Sequence, residues 1–262
     1  MNLEETKNSV TVIIPTFFRV ESTVRAINSA LSQTVKPKKI FVIDDGSPDQ
    51  VFEKLKQGVD ESLVTLIRSN RSSHPGIARN VGIDLASTHW IAFLDSDDYW
   101  LENKLERQLL FAEENSARAI GSNAFTHENN LETSFYQQIP KKVVTKVLMK
   151  NNYVINSSVL IERSLLLNVG GVASDYSVRG VEDYATWLRV SKLVDWYLLN
   201  ENLLYYDQGS SDSIRKSSKI NYYSQVYAWL DFATWSAIRS GHKQMSIRIL
   251  LKLLGKFIGR NS

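Results

Sequence analysis

Five short apolar runs, each followed by a stretch with helical spacing or by a turn, constrain this chain more than any other feature. VTVIIPTF (10–17), KIFVIDDGS (39–47), LVTLI (63–67), WIAFL (90–94) and AIGSN (119–123) are rich in β-branched or aromatic residues and short enough to be buried strands. Between them, Val20, Val24, Ile27 and Leu31 recur at helical spacing, VFEKLKQG forms a short helix, and LENKLERQLLFAEEN a longer one. PGIARNVGIDLAS (75–87) opens with proline, as helix starts often do, and its spacing predicts Ile77, Val81 and Leu85 on one buried face. Strand and helix alternating through short connections dictate an α/β fold: a mostly parallel sheet flanked by helices.

Beyond about residue 125 the alternation loosens. The pattern predicts a helix over 141–150, a strand over 154–161 and a short helix over RSLLLNVGG, ended by glycine. A helix over 181–192 begins with two acids, one or two strands follow within WYLLNENLLYY, and 219–260 is mostly helical. The expected division is a nucleotide-binding half (1–125), a second half of the same domain (126–215) and a helical basic extension (216–262).

Composition narrows the class. With 262 residues there is material for a sizeable core, and without cysteine there are neither disulfides nor thiolate metal sites. The N-terminal MNLEETKNSV lacks the basic start and apolar stretch of a signal peptide, and no apolar run approaches bilayer length, so a cytoplasmic protein is expected. No nucleic-acid partner is expected. The net charge of +3 divides unevenly: Arg239, Lys243, Arg248, Lys252, Lys256 and Arg260 follow the last acid, Asp231.

Parallel sheets bind ligands beyond the carboxyl ends of their strands. This chain's chemistry-bearing residues lie at those ends: Pro15-Thr16-Phe17-Phe18-Arg19, Asp44-Asp45-Gly46-Ser47, and Asp95-Ser96-Asp97-Asp98. On an extended backbone Asp95 and Asp97 point the same way, and two carboxylates in one pocket share a proton or meet a cation. Hard oxygen ligands suit Mg²⁺ or Mn²⁺, which complete their shell with water and substrate phosphates. With no glycine-rich phosphate loop in the sequence, a metal could hold a diphosphate in its place.

SVTVIIPTFFR, VIDDGSPD, HPGIARNVG, WIAFLDSDDYW and VEDYATWLR, in that order, resemble inverting family 2 glycosyltransferases of the GT-A fold, over about residues 9–215. The resemblance implies that Pro15, Thr16 and Arg19 line a nucleoside pocket, that Asp44 accepts a hydrogen bond from uracil, and that Arg79 approaches the nucleotide. It implies that Asp95-Ser96-Asp97 is the DxD motif, with Asp95 near the ribose and Asp97 on the metal, and that Asp183 is the catalytic base. Glu182, Asp98 and Gln208 are subsidiary candidates. Gln208 stands where the family can place a histidine near the metal, and Phe17-Phe18 where it commonly has an aromatic followed by Asn. His74 is assigned no role.

The implied reaction moves a sugar from a nucleotide sugar, UDP-linked in most of the family, to a hydroxyl of a glycan or polyprenyl-diphosphate-linked acceptor, as in O-antigen or capsule assembly. Residues 242–262 alternate apolar and basic positions at helical spacing, which suits either an anionic membrane surface or a helix docked on the body. Two other classes compete. A haloacid-dehalogenase-like phosphatase also places Asp-x-Asp after an apolar strand, but its motif opens the domain and leaves the other two strand ends unexplained. A non-catalytic nucleotide- or sugar-binding module would keep the motifs without turnover.

Overall fold

The computed structural model describes residues 7–60, 62–69, 74–128, 131–207 and 218–240. Strands β1 (Val10–Thr16), β2 (Lys39–Asp44), β3 (Thr65–Arg68) and β4 (Trp90–Phe93) alternate with helices α1 (Glu21–Leu31), α2 (Asp49–Gln57) and α3 (Pro75–Leu85). There follow β5 (Tyr99–Trp100), α4 (Lys104–Asn115), β6 (Ala119–Glu128), β7 (Leu131–Ser134), β8 (Lys142–Val143) and α5 (Thr145–Leu148). The chain then forms β9 (Leu160–Glu162), α6 (Arg163–Val169), α7 (Glu182–Ser191), β10 (Trp196–Tyr205) and α8 (Ser218–Arg239), with 3₁₀ turns at Asn156–Ser158 and Tyr176–Val178.

The ten strands among the described residues join one sheet, whose main path runs β3-β2-β1-β4-β9-β6-β10-β5. β1 pairs in parallel with both β2 and β4, β2 with β3, and β6 with β10. The parallel expectation holds through β3-β2-β1-β4 and for β6 with β10; β9 lies antiparallel between β4 and β6, and the short β5, β7 and β8 also pair antiparallel. Strand β6 crosses the expected boundary at residue 125, so the two halves share a continuous sheet. Alternation along β1 and β4 builds a core on each side: Val10, Val12, Ile14, Trp90 and Ala92 face one, Ile13, Ile91 and Phe93 the other.

Several local expectations change. The segment 141–150 is not one helix but the two-residue β8 and the single turn of α5. The apolar run 154–161 is broken by the 3₁₀ turn at Asn156–Ser158, leaving a strand only at Leu160–Glu162. In α3 the buried face is Gly76, Ala78, Arg79, Gly82 and Ile83, whereas Leu85 is exposed. Small residues decide this: a Cβ on Gly82 would stand 2.7 Å from the Ile13 side chain, so α3 lies against β1 more closely than any larger residue allows. Helix α6 does end at glycine, Gly170, whose φ of 85° suits a left-handed cap.

Helix α8 docks on α7 through a two-pronged ion pair from Arg189 to Asp231, with Nε to Oδ2 at 2.9 Å, and a 3.0 Å bond from Trp229 Nε1 to the Tyr184 hydroxyl. Residues 241–262, which hold most of the basic tail, and Gln208 lie outside the described residues. Among the described residues no helix is long and apolar enough to cross a membrane.

Candidate active site

The three candidate strand ends are neighbours in space. Thr16, ending β1, is in register with Asp44, ending β2, while β4 pairs along the other side of β1 and delivers Asp95. The order 3-2-1-4 places the reversal of strand order between β1 and β4, where parallel sheets open a crevice. A salt bridge spans that point, from Arg19 Nη1 to Asp97 Oδ2 at 2.6 Å.

The first two strand ends are built by their own polar side chains. The buried Thr16 hydroxyl meets that of Thr23 at 2.7 Å, fastening the end of β1 to α1, and Pro15 beside it is half-buried. Asp44 is 1% exposed; it accepts the Ser47 backbone N–H at 3.0 Å and the Ser47 hydroxyl, and Arg68 Nε stands 3.8 Å away. Ser47 Oγ in turn accepts the Phe18 backbone N–H at 2.8 Å. That bond holds Phe18 at a φ of 59°, a left-handed conformation unfavourable for a bulky residue, with its ring exposed. The Asp44 carboxylate thus holds the turn that shapes this edge.

Residues 95–98 are not extended. They form a turn closed by the Asp98 N–H on the Asp95 carbonyl at 3.1 Å. Asp95 and Asp97 are nevertheless both partly exposed, while Ser96 and Asp98 are buried. Burial first, then the charge of Asp95, raises the pKa of Asp97, against the lowering influence of Arg19. Burial likewise pushes Asp98 well above the usual carboxylate range, reinforced by Asp95 and Asp97 and opposed by the Ser157 hydroxyl. Asp98 Oδ1 accepts the Asp207 N–H at 2.9 Å, so it fastens the acidic turn to the chain leaving β10. Arg25 holds the other side, donating Nη2 to the Asp97 carbonyl at 2.6 Å.

Behind the turn lies a buried relay. Arg79, 5% exposed, donates Nη2 to Asp95 Oδ1 at 2.7 Å and Nη1 to Glu182 Oε1 at 2.8 Å. Burial alone would lower its pKa, but the two carboxylates outweigh that and hold it raised. Glu182 Oε2 accepts the Gly180 N–H at 2.7 Å, so both its oxygens are engaged. Asp183, the next residue and also buried, accepts the Tyr184 N–H at 2.7 Å. The relay therefore fixes the start of α7, and with it Asp183, relative to Asp95.

Sequence reasoning missed three contributors. His74, 0% exposed, caps α3: Nδ1 accepts the Gly76 N–H at 3.1 Å, which leaves Nε2 as donor to the Asp175 carbonyl, 3.0 Å away. Asn156 and Ser157 hold Asp95, through Asn156 Nδ2 to Oδ1 at 2.8 Å and the Asp95 N–H to Ser157 Oγ at 3.0 Å. The run of apolar neighbours around NSS concealed the turn. Its one sequence signal was three polar residues, Asn156, Ser157 and Ser158, at positions expected to be core.

The donor set is chemically suited to a hard divalent cation. Asp95 and Asp97 are part-exposed carboxylates close together in one turn; burial first, then the charge of Asp95, raises the pKa of Asp97 against Arg19. Among the described residues no group of three or more His, Asp or Glu could hold a metal by itself.

Comparison with known proteins gives the same direction. Residues 11–169 match the family described as Glycosyl transferase family 2. The chain is 31% identical over 186 residues to the Escherichia coli enzyme UDP-Glc:alpha-D-GlcNAc-diphosphoundecaprenol beta-1,3-glucosyltransferase WfgD, covering 70% of each chain. It is 26% identical over 253 residues to the putative teichuronic acid biosynthesis glycosyltransferase TuaG of Bacillus subtilis, covering 93% of this chain and 98% of the relative. In fold it resembles Staphylococcus aureus TarS 1-349 in complex with UDP-GlcNAc, with a TM-score of 0.70 at 18% identity, over 94% of this chain and 71% of that one.

Proposed function

The chain belongs to glycosyl transferase family 2, and from that premise we propose an inverting transferase that moves a sugar from a UDP-linked donor to an acceptor hydroxyl by single displacement. One observation carries the reading: the relay Asp95–Arg79–Glu182 ties the acidic turn at the end of β4 to the helix that begins with Glu182 and Asp183. Direct displacement needs both parts, a site for the departing diphosphate and a base for the attacking hydroxyl.

In this reading the nucleoside lies over the ends of β1 and β2, beside Pro15, Thr16 and Phe17. Arg19 sits at the crevice, where it can exchange Asp97 for a phosphate. Asp97, with Asp95 beside it, would hold Mn²⁺ or Mg²⁺, which when bound offsets charge developing on the leaving diphosphate. Asp183 accepts the proton of the acceptor hydroxyl, a contribution typically worth about 10²–10⁴-fold. Glu182 is better suited to positioning than to proton transfer, since Arg79 and the Gly180 N–H occupy its two oxygens. Arg79, buried between two carboxylates, acts on the nucleotide through Asp95 rather than by touching it.

The acceptor we propose is a lipid-linked saccharide of surface polysaccharide assembly. Its support is the diphosphoundecaprenol-linked acceptor in the name of WfgD and the polysaccharide role in that of TuaG. A phosphatase is disfavoured by the family assignment and by Asp95, whose Oδ1 takes bonds from both Arg79 and Asn156 and so is poorly placed as a nucleophile.

The test is UDP release from a panel of nucleotide sugars with Mn²⁺, in the wild type and in Asp183→Asn. The variant is expected to lose about 10²–10⁴-fold in turnover while binding UDP as before. Near-normal turnover in the variant removes Asp183 from the mechanism, and UDP binding without turnover in the wild type favours a binding module.

A further inference from the structure

Two arginines meet Asp97 at different atoms. Arg19 pairs with its carboxylate, whereas Arg25, in the second turn of α1, bonds its backbone carbonyl through Nη2 at 2.6 Å. Arg25 is exposed, and no carboxylate pairs with it among the described residues. A guanidinium carries five N–H groups, and that bond uses one of them.

This cation is nevertheless held in place. It lies over the Tyr99 ring, 4.8 Å from the ring centre. Tyr99 stacks on Tyr205, with ring centres 4.6 Å apart and planes 14° apart, and Tyr205 stacks on Phe125 at 5.2 Å. Cross-strand pairing of Tyr99 with Tyr205, and a 2.7 Å bond from the Tyr205 hydroxyl to Glu132, fix the column. Strands β6 and β10 run parallel to each other and, across the antiparallel β9, to β4. Phe125 and Tyr205 therefore stand at the same edge of the sheet as Asp95.

Position and charge together select the ligand. The Asp97 carbonyl oxygen is at most about 5 Å from the carbon of its own carboxylate. An anion brought to that carboxylate thus lies within reach of the unused N–H groups of Arg25. The ring restrains the guanidinium before any ligand arrives, which lowers the ordering cost of binding. Its planar fork matches phosphate oxygens two at a time. Arg19 must give up a carboxylate before it binds an anion; Arg25 gives up at most a neutral carbonyl.

We infer that Arg25 binds the diphosphate of the nucleotide directly, as a cation additional to Arg19, and that Tyr99 positions it. This rests on the reading that the acidic turn holds a nucleotide sugar. The proposed lipid-linked acceptor also bears a diphosphate, so the test must separate the two sources.

With the full chain, Kd is measured by calorimetry for Mn²⁺ alone and, with Mn²⁺ present, for UDP; uridine is followed by ligand-observed NMR. Arg25→Gln keeps a donor for the Asp97 carbonyl and removes the charge. It is expected to bind UDP about tenfold more weakly, the lower end for a hydrogen bond to a charged group, and uridine within about twofold of wild type. Mn²⁺ alone should bind it no more weakly than it binds wild type. Arg25→Lys, which keeps the charge without the fork, recovers part of the loss. Tyr99→Leu, which keeps Arg25 but removes its ring, weakens UDP about 2- to 5-fold.

Uridine and UDP weakened by the same factor overturn the inference, because uridine has no phosphate. Weaker Mn²⁺ binding in Arg25→Gln overturns it in favour of a prop for the acidic turn. Unchanged UDP affinity overturns it as well, and a KM raised only for a diphosphate-linked acceptor then assigns Arg25 to that substrate. Wild-type protein that binds no UDP instead brings down the functional reading on which the inference stands.

Discussion

Two cations are buried close to the acidic turn, and their surroundings make them opposites. Arg79 lies between two carboxylates, which hold its pKa raised despite full burial. Lys104, 0% exposed, pairs with no carboxylate among the described residues; its Nζ sits 3.9 Å from the centre of the Trp100 ring, and burial pulls its pKa well down. The first charge is kept and used to join two parts of the site. The second is a liability carried by the scaffold, offset in part by an aromatic face. Burial alone therefore does not mark a functional charge. Partners do.

Substitution to methionine separates the two. Arg79→Met leaves the buried Glu182 and the part-exposed Asp95 without their shared cation and is expected to cost about 3 kcal/mol, read as a large fall in Tm. An unchanged Tm would show that the relay is no tie. Lys104→Met should go the other way, gaining about 1–2 kcal/mol at neutral pH, because an apolar chain of similar length replaces a desolvated amine.

Its pH dependence carries a definite sign. Because the folded pKa of Lys104 is depressed, the unfolded chain binds more protons between that pKa and the ordinary lysine value of about 10.4. Wild-type stability from this group therefore rises with pH across that window. The advantage of Lys104→Met shrinks as pH approaches 10, and chemical denaturation at pH 7 and pH 10 measures the change. A variant less stable than wild type at pH 7 would show that the Val159 carbonyl and the Trp100 ring outweigh the cost of burying the amine.

The smallest effect belongs to Arg19, whose pair with Asp97 leaves the two side chains 23% and 22% exposed. Arg19→Ala is expected to change stability by under about 1 kcal/mol, as for other half-exposed pairs. Affinity of the nucleotide-free protein for Mn²⁺ should rise up to about fivefold, since Asp97 no longer has to be released first. Calorimetric titration checks this; weaker Mn²⁺ binding would show that Arg19 supports the site rather than competing for it.

The same contrast explains what was legible in the sequence. The β/α alternation, the three acidic or basic strand ends and the acid-led start of α7 all follow from periodicity and from local turn chemistry. They were visible because each depends on residues adjacent in the chain. Arg79 pairs with Glu182 across 103 positions, and Asn156 with Asp95 across 61, so neither contact leaves a local trace. Residues 154–161 looked like a strand because Val154, Ile155, Val159, Leu160 and Ile161 are all core, whichever backbone they adopt. The buried face of α3 was misjudged for a related reason. Glycine and alanine carry no hydrophobic signal, yet here they set the distance between helix and sheet.

The grip of Asp231 on Arg189 has a practical side. Because Asp231 sits on the last described helix and Arg189 on the helix that carries Asp183, the two helices form a lever with the candidate base on its short arm. Truncation from the C-terminus has one boundary that the described contacts set, the end of α8 at Arg239. A cut that enters α8 removes the counterweight as well as the tail, and lost turnover in such a fragment would say nothing about membranes.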